Sequence, residues 1–183
     1  MKAIRLLVFI IFLFILTGPI RLANAINNVD PKQVETAKSV QLDSILYPLP
    51  FPGILPNHPL YFFKVLRDTL IEKMITSDVK KAEFYILQAD KRLQMSLELS
   101  GDENTSLREA TRNEAFLYRE KSLTTLGNAF EKNILVPRYV LEKLLVSTKK
   151  HEEVLQDGLI DTTPVTNLVP KVEALLNKEI DKK

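Results

Sequence analysis

The sequence predicts an all-α protein: a bundle of four or five helices with an extended proline-rich strap packed on it, preceded by an N-terminal signal peptide. Three observations carry that expectation. Apolar residues recur at three- and four-residue spacing from Leu60 almost to the C-terminus, the period of a helix with one buried face. No stretch alternates apolar and polar residues with the β-branched enrichment of a strand. Five glycines in 183 residues suit helices joined by short turns. Each apolar stripe has to be buried against another, which a bundle achieves.

Residues 1–25 read as the signal peptide. Lys2 and Arg5 precede the apolar run Leu6 to Leu16, Gly18-Pro19 breaks it, and Ala23-Asn24-Ala25 gives the small-x-small pattern of a cleavage site. The competing reading is an uncleaved membrane anchor. As helix, Leu6 to Ile20 would span only about 22 Å, short of a hydrocarbon core of about 30 Å. The expected location is therefore extracytoplasmic: secreted, periplasmic or at the cell surface, with membrane anchoring as the alternative.

Removing Lys2, Arg5 and Arg21 leaves 22 basic and 23 acidic residues. Such a near-neutral, interspersed balance gives no basic face for nucleic acid. The absence of cysteine excludes disulfides and thiolate chemistry, so an exported fold must hold by packing alone.

Residues 26–46 form a polar lead-in or a short helix. The domain proper is expected over 47–183, with a strap at 47–58, a helical hairpin at 59–100 and the remaining helices at 105–182. Prolines 48, 50, 52, 56 and 59 fix φ and remove donors, so this stretch should be extended. Its gaps hold Tyr47, Leu49, Phe51, Ile54 and Leu55. That much apolar surface predicts a strap clamped on the bundle, with Leu49, Phe51 and Leu55 dry. An exposed ligand for an aromatic groove is the rival reading.

The first helix is expected from Asn57 as cap and Pro59, burying Leu60, Phe63, Leu66, Leu70 and Met74. Ser77-Asp78 caps the second, with Val79, Ala82, Ile86, Ala89, Leu93 and Leu97 as its stripe. Ser106 and Glu109 suggest a capping box for the third, whose less regular stripe runs Ala110, Leu117, Leu123, Leu126, Phe130 and Ile134. Pro137 marks a kink or break. Leu141, Leu144, Leu145, Thr148 and Leu155 give the fourth, ended by Gly158. Thr163-Pro164 opens a fifth through Val165, Leu168 and Val172, unless the last helix begins only at Pro170.

"PGILPNHPLYFFKVLRD" followed by "SDVKKAEFYILQADKRL" resembles a bacterial domain family of unknown function carried by exported and membrane-anchored proteins. The resemblance covers Pro52 to about Leu99. It rests on Pro52, Gly53, Pro56, Pro59, Leu60, Tyr61, Lys64 and Arg67, then Asp78, Lys81, Ala82, Glu83, Ala89, Arg92 and Leu93. Val79 stands where that family usually has proline. The resemblance implies a helical hairpin, no assigned chemistry, and a sensory or structural role outside the membrane. In an antiparallel hairpin turning near Ser77, Lys64 would face Asp90 and Glu72 would face Lys81, two ion pairs that set register.

The catalytic inventory is thin. His58 and His151 have no partner at metal spacing, and "HEEVL" is not a zinc-protease pattern because Leu155 stands at the second ligand position. His151, in "KKHEE", reads as a solvated residue. No phosphate-binding glycine loop or nucleophile elbow occurs. No catalytic residue, cofactor or metal is expected. Tyr61, Phe62, Phe63, Phe84 and Tyr85 exceed what one helix face can bury; either both faces pack or a groove takes a ligand. The functional expectation is a non-catalytic binding or scaffolding module of the cell envelope, its partner an envelope protein or surface component, with membrane contact only through the signal segment if uncleaved. The alternative is a sensor domain binding a small apolar ligand or peptide; a hydrolase using scattered carboxylates ranks below both.

Overall fold

A computed structural model describes residues 46–180, which belong to one unit, Leu42–Lys183. The signal peptide expected over 1–25, and the lead-in over 26–46 apart from Leu46, lie outside the described residues. Those described are all-α: α1 Tyr61–Met74, α2 Asp78–Glu98, a 3₁₀ turn Asp102–Asn104, α3 Thr105–Glu131, α4 Arg138–Asp157, a single turn α5 Thr163–Thr166, and α6 Val169–Ile180. None of these helices is long and apolar enough to cross a membrane.

Local chemistry sets most boundaries. The Ser77 side chain accepts from the Lys80 N–H and opens α2, and Asp78 in its first turn is held by Lys132 at 2.8 Å. Pro137, extended at ψ 135°, is the residue from which α4 starts. Gly158 ends α4, and Leu159 then turns the chain with a φ of 52°. Thr163-Pro164 and Pro170 both start helix, one the short α5 and the other, at its second position, α6. Two expected caps do not form. Asn57 does not cap α1, which begins two residues after Pro59 with Leu60 as N-cap. Ser106–Glu109 is no capping box either, because the 3₁₀ turn carries the chain directly into helix at Thr105.

The tightest helix pair is α2 with α3; α4 packs on α6 and on α2. Ala82, Ile86, Leu126, Val140, Leu141 and Leu144 share one core cluster with Val172 of α6. Leu93, Ala115, Leu155 and Val165 form a second, against which Leu49 of the proline segment packs.

The first two helices meet antiparallel through long side chains, Tyr61 with Arg92, Lys64 with Met95 and Glu72 with Tyr85, and not through close backbones. The backbone of α1 makes no more than a glancing approach to any other helix. Its stripe faces outward: Leu60, Phe63, Leu66, Leu70 and Met74 are all exposed, Leu70 at 54% and Met74 at 79%. The buried side is polar, with Lys64 and Asp68 turned in. The expected stripe of α3 holds in its second half, where Leu126 and Phe130 are buried and Leu123 packs on the first cluster, but not at Ala110, Leu117 and Ile134. Ala110 and Leu117 are exposed, whereas Thr111, Ala115, Arg119, Ser122, Leu126 and Ala129 face the core.

Leu144→Ala should cost about 2–5 kcal/mol by cavity formation, and Leu66→Gln should stay within about 0.5 kcal/mol of the parent, as exposed positions do. Urea unfolding of both variants checks this; a large loss from Leu66→Gln would place the α1 stripe in the core after all.

Candidate functional site

Three arrangements gather chemistry-bearing side chains: a sealed polar centre, a tyrosine-lined cleft, and the outer face of α1.

The sealed centre is built on the Asp90 carboxylate of α2. Arg119 of α3 donates from Nη2 to Asp90 Oδ1 at 2.9 Å. From α4, one turn apart, come Ser147, which donates to the same oxygen, and His151, whose Nε2 lies 2.9 Å from it. The Tyr47 hydroxyl of the proline segment donates to Oδ2 at 2.7 Å. Asp90, Arg119, Ser147 and His151 are all buried. Burial pushes the Asp90 carboxyl up, but the His151 hydrogen bond and the Arg119 charge outweigh it and hold the acid well below the usual range. Burial and the Arg119 charge together lower His151 to about 4, so its ring is neutral near pH 7. Nε2 of His151 also lies 2.6 Å from Arg119 Nη2. A neutral ring can accept from the arginine or donate to the carboxylate there, not both. The Tyr47 hydroxyl is pushed up by burial and by the Asp90 charge.

Serine, histidine and aspartate in one cluster invite comparison with a nucleophilic triad. Here both the hydroxyl and the imidazole bond the carboxylate rather than each other, so the link that would activate a nucleophile is not made. All three are also shut away from solvent.

The cleft opens where α1 stands off from α3, above a floor of α2. It encloses about 660 Å³ and is lined by Val65, Tyr85, Arg92, Leu117, Tyr118 and Lys121, among others. Arg92 lies between two rings, its guanidinium carbon 5.4 Å from the centroid of Tyr61 and 5.9 Å from that of Tyr118. Its Nη1 donates to the Tyr61 hydroxyl, and its Nε lies 2.9 Å from the Glu114 carboxylate. Tyr85 donates to Glu72 at 2.8 Å, and Lys121 reaches the same Glu72 oxygen at 3.8 Å. Burial pushes the Tyr61 hydroxyl up to about 12.

Of the residues behind the family resemblance, Pro52, Tyr61, Lys64 and Arg92 form one connected contact set. Lys64 donates to the Pro52 carbonyl at 2.7 Å and lies 3.7 Å from the Met95 sulfur; Arg92 approaches that sulfur at 3.4 Å. Burial, then the Arg92 charge, lowers Lys64 to about 8. Gly53 supplies the φ of 77° that turns the chain after Pro52. Ala82, Ala89 and Leu93 are core residues. Pro56, Lys81 and Glu83 are half-buried, whereas Pro59 and Leu60 are exposed. Arg67 is exposed and bonds Asp68 at 2.7 Å, and Asp78 pairs with Lys132.

Neither expected register pair forms. Lys64 is held by Pro52 and Asp90 by Arg119. Glu72 meets Tyr85 and Lys121 instead of Lys81. His151 is no solvated residue but fully buried. Phe51, expected dry, is 81% exposed; Leu49 and Leu55 are half-buried. Tyr47 is read from sequence only as apolar surface of the proline stretch; Arg119 and Ser147 were not singled out. Their signal lies in the spacing: Ala115, Arg119, Ser122 and Leu126 continue one helical face, as do Leu144, Ser147, His151 and Leu155. Among the described residues, no group of three or more His, Asp or Glu is placed to hold a metal. No family model matches the chain, and no curated protein or solved structure matches it.

Arg119→Met leaves the Asp90 charge without its main partner and should cost about 3–5 kcal/mol. The double variant Asp90→Leu/Arg119→Met should be more stable than Arg119→Met alone. Chemical denaturation of the pair decides; a single variant no less stable than the double would show that the charge is not what the centre compensates.

The second expectation concerns pH. His151 falls from 6.5 to about 4 on folding, so between those values the unfolded chain binds the extra proton. The stability it contributes is complete above about pH 6.5 and is lost as pH falls through about 4, at no more than about 1.4 kcal/mol per pH unit for one proton. His151→Gln should flatten the slope between about pH 5 and 6.5, where ordinary carboxylates hardly titrate. An unchanged slope would place the titration elsewhere.

Proposed function

We propose that this chain is a non-catalytic binding module of the cell envelope that engages its target through the outer face of α1. The observation that carries this reading is the inverted polarity of that helix. Phe62, Phe63, Leu66, Leu70 and Met74 face solvent while Lys64 and Asp68 face the protein. Leaving a contiguous apolar patch wet is unfavourable, and such patches mark interaction sites. The chemistry elsewhere supports the same side of the choice: the strongest hydrogen-bonded cluster is spent on joining segments, without an approach for substrate. The likeness of residues 52–99 to a family of exported proteins, and the apolar run before the cleavage-site pattern, favour an extracytoplasmic position.

In this reading the proline segment is a strap. Tyr47 reaches Asp90, Leu49 packs on the second core cluster, and the Pro52 carbonyl accepts from Lys64. Proline lowers the entropy lost on fixing it there, and the strap presents α1 apolar side outward.

The cleft favours a second reading, a sensor domain that takes a small apolar ligand or peptide between α1 and α3. Its volume lies within the range of small-molecule sites, and it offers Tyr85, Tyr118, Leu117 and Val65 beside a few polar groups.

Cell fractionation of the full chain and of Leu66→Gln/Leu70→Gln tests the first reading. The parent chain should accompany the envelope fraction through a mild wash and the variant should be released from it, with the two sharing the same melting temperature. A variant that partitions like the parent chain would move the function away from the α1 face and toward the cleft.

A further inference from the structure

We infer that the outer face of α1 docks on an anionic lipid bilayer, the helix lying flat in the headgroup region. This rests on the reading of that face as the binding surface and names its target.

Charge placement is the ground. At 100° per residue, Leu66 and Leu70 centre the outer face and Phe62, Phe63 and Met74 flank them. The exposed charges of α1 are Arg67 and Lys73, both positive. Of its two acids, Asp68 is buried and bonds Arg67 at 2.7 Å, offsetting that charge, and Glu72 accepts from Tyr85 on the inner side, so Lys73 carries most of the positive charge of this face. From Leu46 to Arg67 the chain contains no acidic residue at all. An apolar face rich in Phe and Leu whose exposed charged side chains are basic is the pattern of a helix that lies in a membrane interface. Anionic lipid attracts such a border.

Shape allows this target as it would allow a grooved protein partner, which takes the same kind of helix face; charge decides between them. A ridge of bulky side chains enters the acyl boundary without needing a complementary partner surface. A second copy of the chain is a poorer occupant, since a twofold seam on this face would bring the basic residues of one copy near those of the other.

The test uses the full chain, whose lack of cysteine allows one label at a chosen place. An environment-sensitive fluorophore is attached at Met74→Cys, at Leu70→Cys in a second variant, and at Leu159→Cys as a control on the turn after α4. The readout is local, so membrane binding by the apolar run Leu6 to Leu16 does not imitate it. With vesicles of phosphatidylcholine and phosphatidylglycerol, emission at positions 70 and 74 should rise and shift to the blue and be quenched by lipid-borne nitroxides. Emission at 159 should not change. Lys73→Gln should weaken the response by about fivefold in apparent affinity, the effect of one basic residue at an anionic surface. Raising salt from about 0.1 M to about 1 M, which shortens the screening length from about 10 Å to about 3 Å, should weaken it further.

Solvent-like emission at both α1 positions on vesicles overturns the inference, and an equal response on phosphatidylcholine alone overturns the anionic class. Labels already shielded before lipid is added, in a chain that sediments as a dimer, overturn it in favour of a second copy. Silent vesicles together with envelope association that Leu66→Gln/Leu70→Gln abolishes would leave the binding-module reading standing and remove lipid as its target.

Discussion

One carboxylate joins four parts of this chain that are far apart in sequence. Asp90 receives Tyr47 from the proline segment, Arg119 from α3, and Ser147 and His151 from α4. Burying a charge is costly unless its partners are all in place. The centre therefore works less as a source of net stability than as a constraint on arrangement: a shift of one helix by a turn would strand the carboxylate. Apolar packing alone would be more permissive, since Leu126 and Leu144 tolerate small slides that a fixed guanidinium and a ring nitrogen do not.

That constraint reaches the surface through the proline segment. Once Tyr47 is fixed to Asp90 and Leu49 to the second cluster, Pro52 lies where its carbonyl accepts from Lys64. The buried side of α1 is then committed to polar partners: Lys64 to Pro52, Tyr61 to Arg92, Glu72 to Tyr85. Leu66 and Leu70 lie about half a turn around the helix from these residues, so the apolar stripe points outward. The exposure of Phe63, Leu66 and Leu70 follows from what the other side has already bonded.

The sequence was legible where burial and hydrophobicity coincide. In α2, Ala82, Ile86, Ala89 and Leu93 are apolar, at helical spacing and buried; period alone finds them. It misleads where the two part company. For α1 the stripe was real and the helix formed, but periodicity identifies a face without saying which way it looks. The clue lay at Lys64 and Asp68, four residues apart on the opposite side. For α3 the apolar residues were followed to Ala110 and Leu117, while the core-facing row passes through Thr111, Arg119 and Ser122. Reading only apolar residues as core hides a buried polar centre by construction. His151 was misjudged for the same reason: its charged neighbours in sequence lie around the helix, and its neighbours in space are Leu155, one turn on, and the Asp90 carboxylate across the core.

The interior and the surface of this domain exchange their usual chemistry at two places, and the two are linked. A charged, hydrogen-bonded centre occupies the core where α2, α3 and α4 meet, and an apolar ridge occupies the surface along α1. Neither exchange is favourable in isolation. A polar centre of this kind is retained where a unique arrangement matters more than added stability, and an apolar ridge where something is to be met by it. The proline segment touches both: Tyr47 donates to Asp90, and the Pro52 carbonyl accepts from Lys64 of α1. The first exchange gives the second its orientation, and that dependence is the strongest physical reason to look for this chain's function on the outside of α1.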